Sequence, residues 1–175
     1  MKKNTKIILG VIILLLPVVV ILAVMHNRYM TERLYYHIEG SFMVRLDDEV
    51  RHVSLHDLIN MSPVTFESFH RRAEGVFTGV PLADVLAFTG LDYSNASSFT
   101  FFSYDGFSTG VSLADALDTE SAFIVFEQDG ISLAENPNVM GNANLWQQAP
   151  FRLVLLNEMF PQRWARYVFE IVIQH

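Results

Sequence analysis

The 175-residue chain contains no cysteine. That absence excludes a disulfide scaffold, a cysteine zinc site, an iron–sulfur cluster and any thiolate-ligated metal. Lysine is almost as scarce. Lys2, Lys3 and Lys6 stand at the N-terminus, and none follows. Residues 27–175 therefore set nine arginines against all 19 acidic residues, a formal charge of −10. Nucleic-acid binding is excluded on that balance, because phosphate neutralisation needs a basic surface. A polybasic contact with anionic lipid is excluded for the same reason. The few cations beyond the N-terminus are all guanidinium groups, which suit bidentate pairing with carboxylate or phosphate. No Gly-x-Ser-x-Gly elbow is present, so serine-nucleophile chemistry has no support. No glycine-rich phosphate loop follows any expected strand.

What the chain does have is one long apolar run, Ile7 to Met25, broken only by Gly10 and Pro17. About 20 such residues span a bilayer core of roughly 30 Å. The three preceding lysines place residues 1–6 in the cytoplasm as a basic tail. A cleaved export signal is the alternative reading. The run is longer than the usual signal-peptide core of about 7–15 residues, and Ala23-Val24-Met25-His26 is a poor small-x-small cleavage site. In either case the remainder lies outside the cytoplasm. The expected organisation is a transmembrane anchor over 7–25, a juxtamembrane connector over 26–39 and an extracytoplasmic domain over 40–175. One export segment of this kind fits a bacterial membrane protein.

The domain reads as short strands alternating with short helices. Phe42–Leu46 and Val50–Val53 flank a polar tip, Asp47-Asp48-Glu49. Ser54-Leu55-His56-Asp57 has the spacing of a capping box and starts a helix that runs to Asn60 and is ended by Ser62-Pro63. Val64–Phe69 and Ala73–Thr78 read as strands around Arg71-Arg72. Pro81–Phe88 reads as a helix, with proline in the first turn and Gly90 as the stop. Ser98–Tyr104 and Phe107–Val111 are strands joined at Asp105-Gly106, and Ser112-Leu113-Ala114-Asp115 starts another short helix. Ala122–Glu127 and Ile131–Leu133 are joined at Asp129-Gly130. Residues 134–149 hold Pro137, Gly141 and several amides and read as a long loop. Phe151–Leu156 and Tyr167–Ile173 are apolar strands. Phe99, Phe101, Phe107 and Phe123 are expected in the core. The fold class is α+β, a mixed β-sheet domain with short helices behind one N-terminal transmembrane helix.

The order Gly79-Val80-Pro81-Leu82-Ala83-Asp84-Val85-Leu86, Phe102-Ser103-Tyr104-Asp105-Gly106-Phe107, Phe126-Glu127-Gln128-Asp129-Gly130 and Ala149-Pro150-Phe151-Arg152-Leu153-Val154 resembles the molybdopterin-binding domain of the sulfite oxidase family. Arg163-Trp164-Ala165-Arg166-Tyr167-Val168 through Ile173 is similar to that domain's last strand, and the likeness covers most of residues 40–173. It implies an α+β domain built to hold a pterin-bound molybdenum through one cysteine thiolate. The matching stretch, Phe66 to Arg72, has no cysteine. Ser68 is a poor substitute, because a hydroxyl is a hard, strongly basic ligand for a soft metal. The family's Gly-His-Gly-like segment is replaced by Trp146-Gln147-Gln148-Ala149. Arg152 fits the family's arginine after the proline, and Arg166 stands where a cofactor-contacting lysine is often found. Family enzymes also carry longer loops and usually a second domain.

The expectation is a short, degenerate relative: a binding module that has kept the fold without molybdenum redox catalysis. Molybdopterin remains possible by resemblance, and molybdenum is not expected. The candidate cofactor-binding residues are Ser68, His70, Arg71, Arg72, Asp105, Trp146, Arg152 and Arg166. No catalytic or metal-ligating residue is assigned. The expected occupant of the cleft is a small anionic ligand or a membrane redox partner protein. A genuine molybdopterin-dependent oxidoreductase with a non-cysteine metal site is the alternative, and a ligand-free scaffold is the third reading. His52 and His56 straddle a strand end and a helix start, which gives them no shared helical face for a metal. The stretch from Asn136 to Asn144 lacks the acids of a calcium loop.

Overall fold

A computed structural model of the chain describes residues 15–25, 40–70, 73–139, 141–158 and 161–175. The chain divides into two compact units, Met1–His37 and Ile38–His175. In the first, residues 15–25 form helix α1, and its apolar side chains, Leu15 through Met25, are half or more exposed. Among the described residues no helix is long and apolar enough to cross a membrane. The basic tail over 1–6, the first half of the expected anchor and the connector over 26–39 lie outside the described residues.

The second unit holds two sheets with short helices between strands. The α+β class read from the sequence is the observed one, with the strands divided between two sheets instead of forming one. In the first sheet, β1 (Ser41–Leu46), β2 (Glu49–Ser54), β5 (Ser98–Ser103), β6 (Ser108–Ser112) and β10 (Val168–Gln174) lie in the order β2-β1-β10-β5-β6. β10 is its centre, antiparallel to β5 and parallel to β1, with Met43 opposite Glu170. The second sheet contains β3 (Val64–His70), β4 (Ala73–Pro81), β7 (Ala122–Gln128), β8 (Ile131–Ser132) and β9 (Arg152–Leu155). β7 pairs β4 along one edge and both β8 and β9 along the other.

Each choice of element has a local cause. β5 alternates strictly, burying Phe99, Phe101 and Ser103 while Ser98, Thr100 and Phe102 are partly exposed, the period-2 pattern of a one-sided strand. Ala122–Phe126 of β7 are all buried, as befits a strand with neighbours on both edges and covered faces. Asp129 and Gly130 both take positive φ, 56° and 76°, the backbone that suits a two-residue hairpin turn. Helix α2 (Leu55–Asn60) carries the complete capping box: the Ser54 Oγ accepts from Asp57 N, and Asp57 accepts from Ser54 N at 2.8 Å. Helix α3 (Leu82–Thr89) follows Pro81 at its N-cap and ends at Gly90, φ 67°. Helix α4 (Leu113–Ala116) begins at Ser112, whose Oγ accepts from Asp115 N at 3.1 Å.

Two expectations need correction. The stretch 134–149 is not loop throughout, because Ala143–Gln148 form helix α5, capped by Asn142 accepting from Asn144 N at 3.0 Å. Asparagine suits a loop, but it is also a preferred N-cap, and Asn142 takes that role here. Phe107 is not a core residue. It is 38% exposed, because it stands at the turn before β6 and not within the strand ladder.

Candidate functional site

The two sheets meet where the chain leaves β9 and returns to β10. Leu153 N donates to Ala165 O at 2.8 Å, and Val168 N donates to Phe151 O at 3.0 Å. Between these bonds Arg152 and Arg166 form an antiparallel bridge. Residues opposite each other in such a bridge project from the same face with Cβ atoms about 5 Å apart, and like charges so placed repel. The fold thus sets two guanidinium groups side by side.

Arg152 is the more constrained of the pair. It is 7% exposed, and its guanidinium carbon lies 5.5 Å from the Phe77 ring centre and 5.3 Å from that of Trp164. Such contacts with ring faces stabilise a desolvated cation. Its Nε is buried and has no hydrogen-bond partner among the described residues. Among the described residues no ion pair neutralises it. Burial, followed by the neighbouring charge of Arg166, pulls its pKa well below the usual arginine value, to about 10, and Tyr167 opposes the fall. Arg152 is still charged at neutral pH.

Around this cation lies a cleft of about 270 Å³. Asp105 and Phe107 reach it from the β5–β6 turn, and Arg152 reaches it from β9. Pro161, Gln162, Trp164 and Arg166 reach it from the stretch that returns to β10. Trp164 is fixed by its indole N–H, which donates to Leu155 O at 3.0 Å. The β5–β6 turn is fixed by Tyr104 N donating to Tyr167 O at 3.1 Å, and the Asp105 Oδ1 accepts from Phe107 N at 3.1 Å. Tyr167 has φ 56°, and the β10 ladder is irregular between Val168 and Glu170, so the backbone bends as it passes the cleft.

The structure brings together Asp105, Arg152 and Arg166 of the candidates read from the sequence. Ser68 is placed elsewhere. It is buried in β3 and lines a separate hollow of about 350 Å³ with Glu67, Phe69 and Leu156, which shares no lining residue with the arginine cleft. The side chain of His70, and Arg71 and Arg72 entirely, lie outside the described residues. Trp146 is buried in α5 and packs against Tyr167, ring centres 4.4 Å apart. It supports the backbone behind the cleft and does not line it. The same support includes the Tyr167 hydroxyl, which accepts from Asn142 N. Phe107, Gln162 and Trp164 were not singled out from the sequence as site residues. The signal for Trp164 was its place between Arg163 and Arg166. Arg163 itself is engaged outside the cleft, by Glu158 and by Asp115 at 3.8 Å.

No protein-family model and no curated protein matches the chain. Among solved structures, the sulfane dehydrogenase SoxCD from Paracoccus pantotrophus is similar, with a TM-score of 0.59 and 15% sequence identity. The two chains share a distant likeness of fold. The likeness covers 77% of this chain and 38% of the dehydrogenase chain, so this protein spans well under half of that relative's length. At 15% identity the fold is what the two share.

The donor set bears on the cofactor that the sulfite oxidase resemblance implies. A thiolate-ligated molybdenum does not fit a chain without cysteine. The hydroxyl at the corresponding stretch, Ser68, lies in a different hollow from the paired arginines. Among the described residues no group of three or more His, Asp or Glu side chains is placed to hold a metal ion.

Proposed function

We propose that this protein is a membrane-anchored, extracytoplasmic binding module that takes a small anion in the Arg152–Arg166 cleft and performs no molybdenum redox chemistry. One observation carries the reading. A nearly buried guanidinium whose Nε has no hydrogen-bond partner among the described residues, set opposite a second guanidinium, is an arrangement that an anionic ligand completes. Burying an uncompensated charge is costly, and proteins keep such groups where function requires them. A carboxylate or phosphate-like group in the cleft would meet the part of the Arg152 guanidinium that lines it, offset the Arg152–Arg166 repulsion and gain charge-assisted hydrogen bonds. The anchor part of the proposal rests on the run from Ile7 to Met25 and the three lysines before it.

Titration calorimetry of the detergent-solubilised full chain with sulfate and with acetate tests the binding reading. Saturable binding that Arg152→Met removes, with the circular dichroism spectrum unchanged, is the expected outcome. Equal binding by wild type and variant would sink it.

The likeness to a dehydrogenase favours a second reading, in which the chain is a molybdopterin-dependent oxidoreductase or a subunit of one with a non-cysteine metal site. Elemental analysis and pterin fluorescence on protein purified from its native membrane separate the two. Stoichiometric molybdenum with pterin establishes the second reading. Pterin without metal keeps the binding module and names its ligand.

A further inference from the structure

We propose that the ligand of this cleft is a small hydroxy or amino acid, its carboxylate held by Arg152 and its adjacent hydroxyl or amino group donating to Asp105. This deepens the anion-binding reading and rests on it.

The cleft is not uniformly positive. Asp105 lines the same space as the two arginines, yet it makes no ion pair with either. An arginine and an aspartate free to approach would close into a bidentate pair. Here each is held by its own backbone and neighbours. The Arg152 guanidinium is kept against Phe77 and Trp164. Asp105 is kept by the Phe107 N–H on one carboxylate oxygen and by the Tyr104–Tyr167 bond behind the turn. The other oxygen of Asp105 has no protein partner among the described residues. A largely buried guanidinium and an exposed, fixed carboxylate therefore line one small cleft without pairing with each other.

That lining discriminates between anions. For a bare oxyanion Asp105 contributes only repulsion, the kind of element that acts against a wrong ligand. An acid with a donor next to its carboxylate meets both groups with complementary charge. The volume, about 270 Å³, lies just below the usual range for ligand pockets and suits a molecule of a few heavy atoms. Phe107 and Trp164 supply aromatic walls for its carbon skeleton.

The test compares acetate, glycolate and glycine on the full chain in detergent, by calorimetry, in wild type and in Asp105→Asn. The asparagine keeps an acceptor for Phe107 N–H, and Asn-Gly suits the tight turn as well as Asp-Gly. Wild type is expected to bind glycolate or glycine about fivefold more tightly than acetate, the scale of one exposed charge-assisted contact. The variant is expected to lose that preference while acetate binding is kept or strengthened. Equal affinities in wild type, or a parallel gain for all three probes in the variant, would overturn the proposal and leave anion binding standing. Absence of binding for all three and for sulfate in wild type would remove the anion reading itself.

Discussion

At the scale of single residues the cleft is a site of stored cost. The depression of the Arg152 pKa to about 10 marks a charge that burial and the neighbouring Arg166 leave imperfectly compensated. The sign is that of a base depressed in the folded state. The penalty is fully present below about pH 10, and stability rises above that pH, towards the ordinary arginine range, as the folded protein sheds the proton first. Arg152→Met, which fills similar space without charge, is accordingly expected to raise the melting temperature by a few degrees at pH 7 while removing sulfate binding. Scanning calorimetry checks this, and a lowered melting temperature would mean that Arg152 is compensated in the fold. Gly141 makes the opposite point. Its φ is +138°, and a Cβ there would fall 1.8 Å from the Tyr167 hydroxyl and 2.9 Å from that ring's Cζ. Gly141→Ala must strain the backbone and displace the ring that Trp146 supports. A loss of about 2–3 kcal/mol in urea unfolding is expected, with weaker sulfate binding because Tyr167 adjoins Arg166.

At the scale of elements, helices of four to eight residues cannot stand on propensity and depend on their caps and the sheets they cover. α2 shows this most directly. The Ser54 side chain, then the Ser54 backbone N–H, hold Asp57 below its ordinary pKa of 3.8. The folded pKa is depressed, so the stabilisation is present above the ordinary carboxylate range and is lost as pH falls through the lowered value. Ser54→Ala should cost about 1 kcal/mol at pH 7, with the difference from wild type shrinking in acid below pH 4. Urea melts at pH 7 and pH 3 measure both. A difference that persists unchanged at pH 3 would assign the loss to something other than the ionised cap. β10 carries a second electrostatic feature, the fully buried Glu170, which accepts from Arg45 Nε at 2.8 Å on the neighbouring parallel strand. That pair ties the central strand to β1 and takes no part in the cleft.

At the scale of the whole molecule, the chain joins an apolar N-terminal stretch to an arginine-only, strongly acidic domain. The proposed topology puts residues 1–6 in the cytoplasm and residues 40–175 on the other side of the membrane. Protease added to intact spheroplasts should therefore remove the domain, and carbonate washing should leave the chain with the membrane. Recovery of the full chain in the carbonate supernatant would contradict the anchor, and recovery of a chain shortened at its N-terminus would favour a cleaved export signal. The acidic domain also has a consequence for binding. Its net charge repels anions at long range, so the cleft selects by local contacts and gains little from steering. Moderate salt should then leave the affinity for a neutral zwitterion such as glycine nearly unchanged.

Much of the local structure could be read before any coordinates. The strands around Asp105-Gly106 and Asp129-Gly130, the Ser54 capping box and the stop at Gly90 follow from turn chemistry and period-2 burial within a few residues, and local physics suffices for those. Arg152, Arg166 and Asp105 could be named as candidates through the family resemblance. What only the tertiary structure decided is their meeting. Arg152 and Arg166 are opposed by one bridge between a strand of the second sheet and the approach to the first, and Asp105 joins them through the bond from the preceding residue, Tyr104, to Tyr167. Ser68 and Trp146 show the limit from the other side. Both stand near the site in motif order, yet one lines another hollow and the other is packed behind the backbone. Periodicity tells which face of an element is buried. Which buried face meets which, and whether a charged group there finds a partner, is fixed by register and long-range packing, interactions between residues that local sequence does not pair.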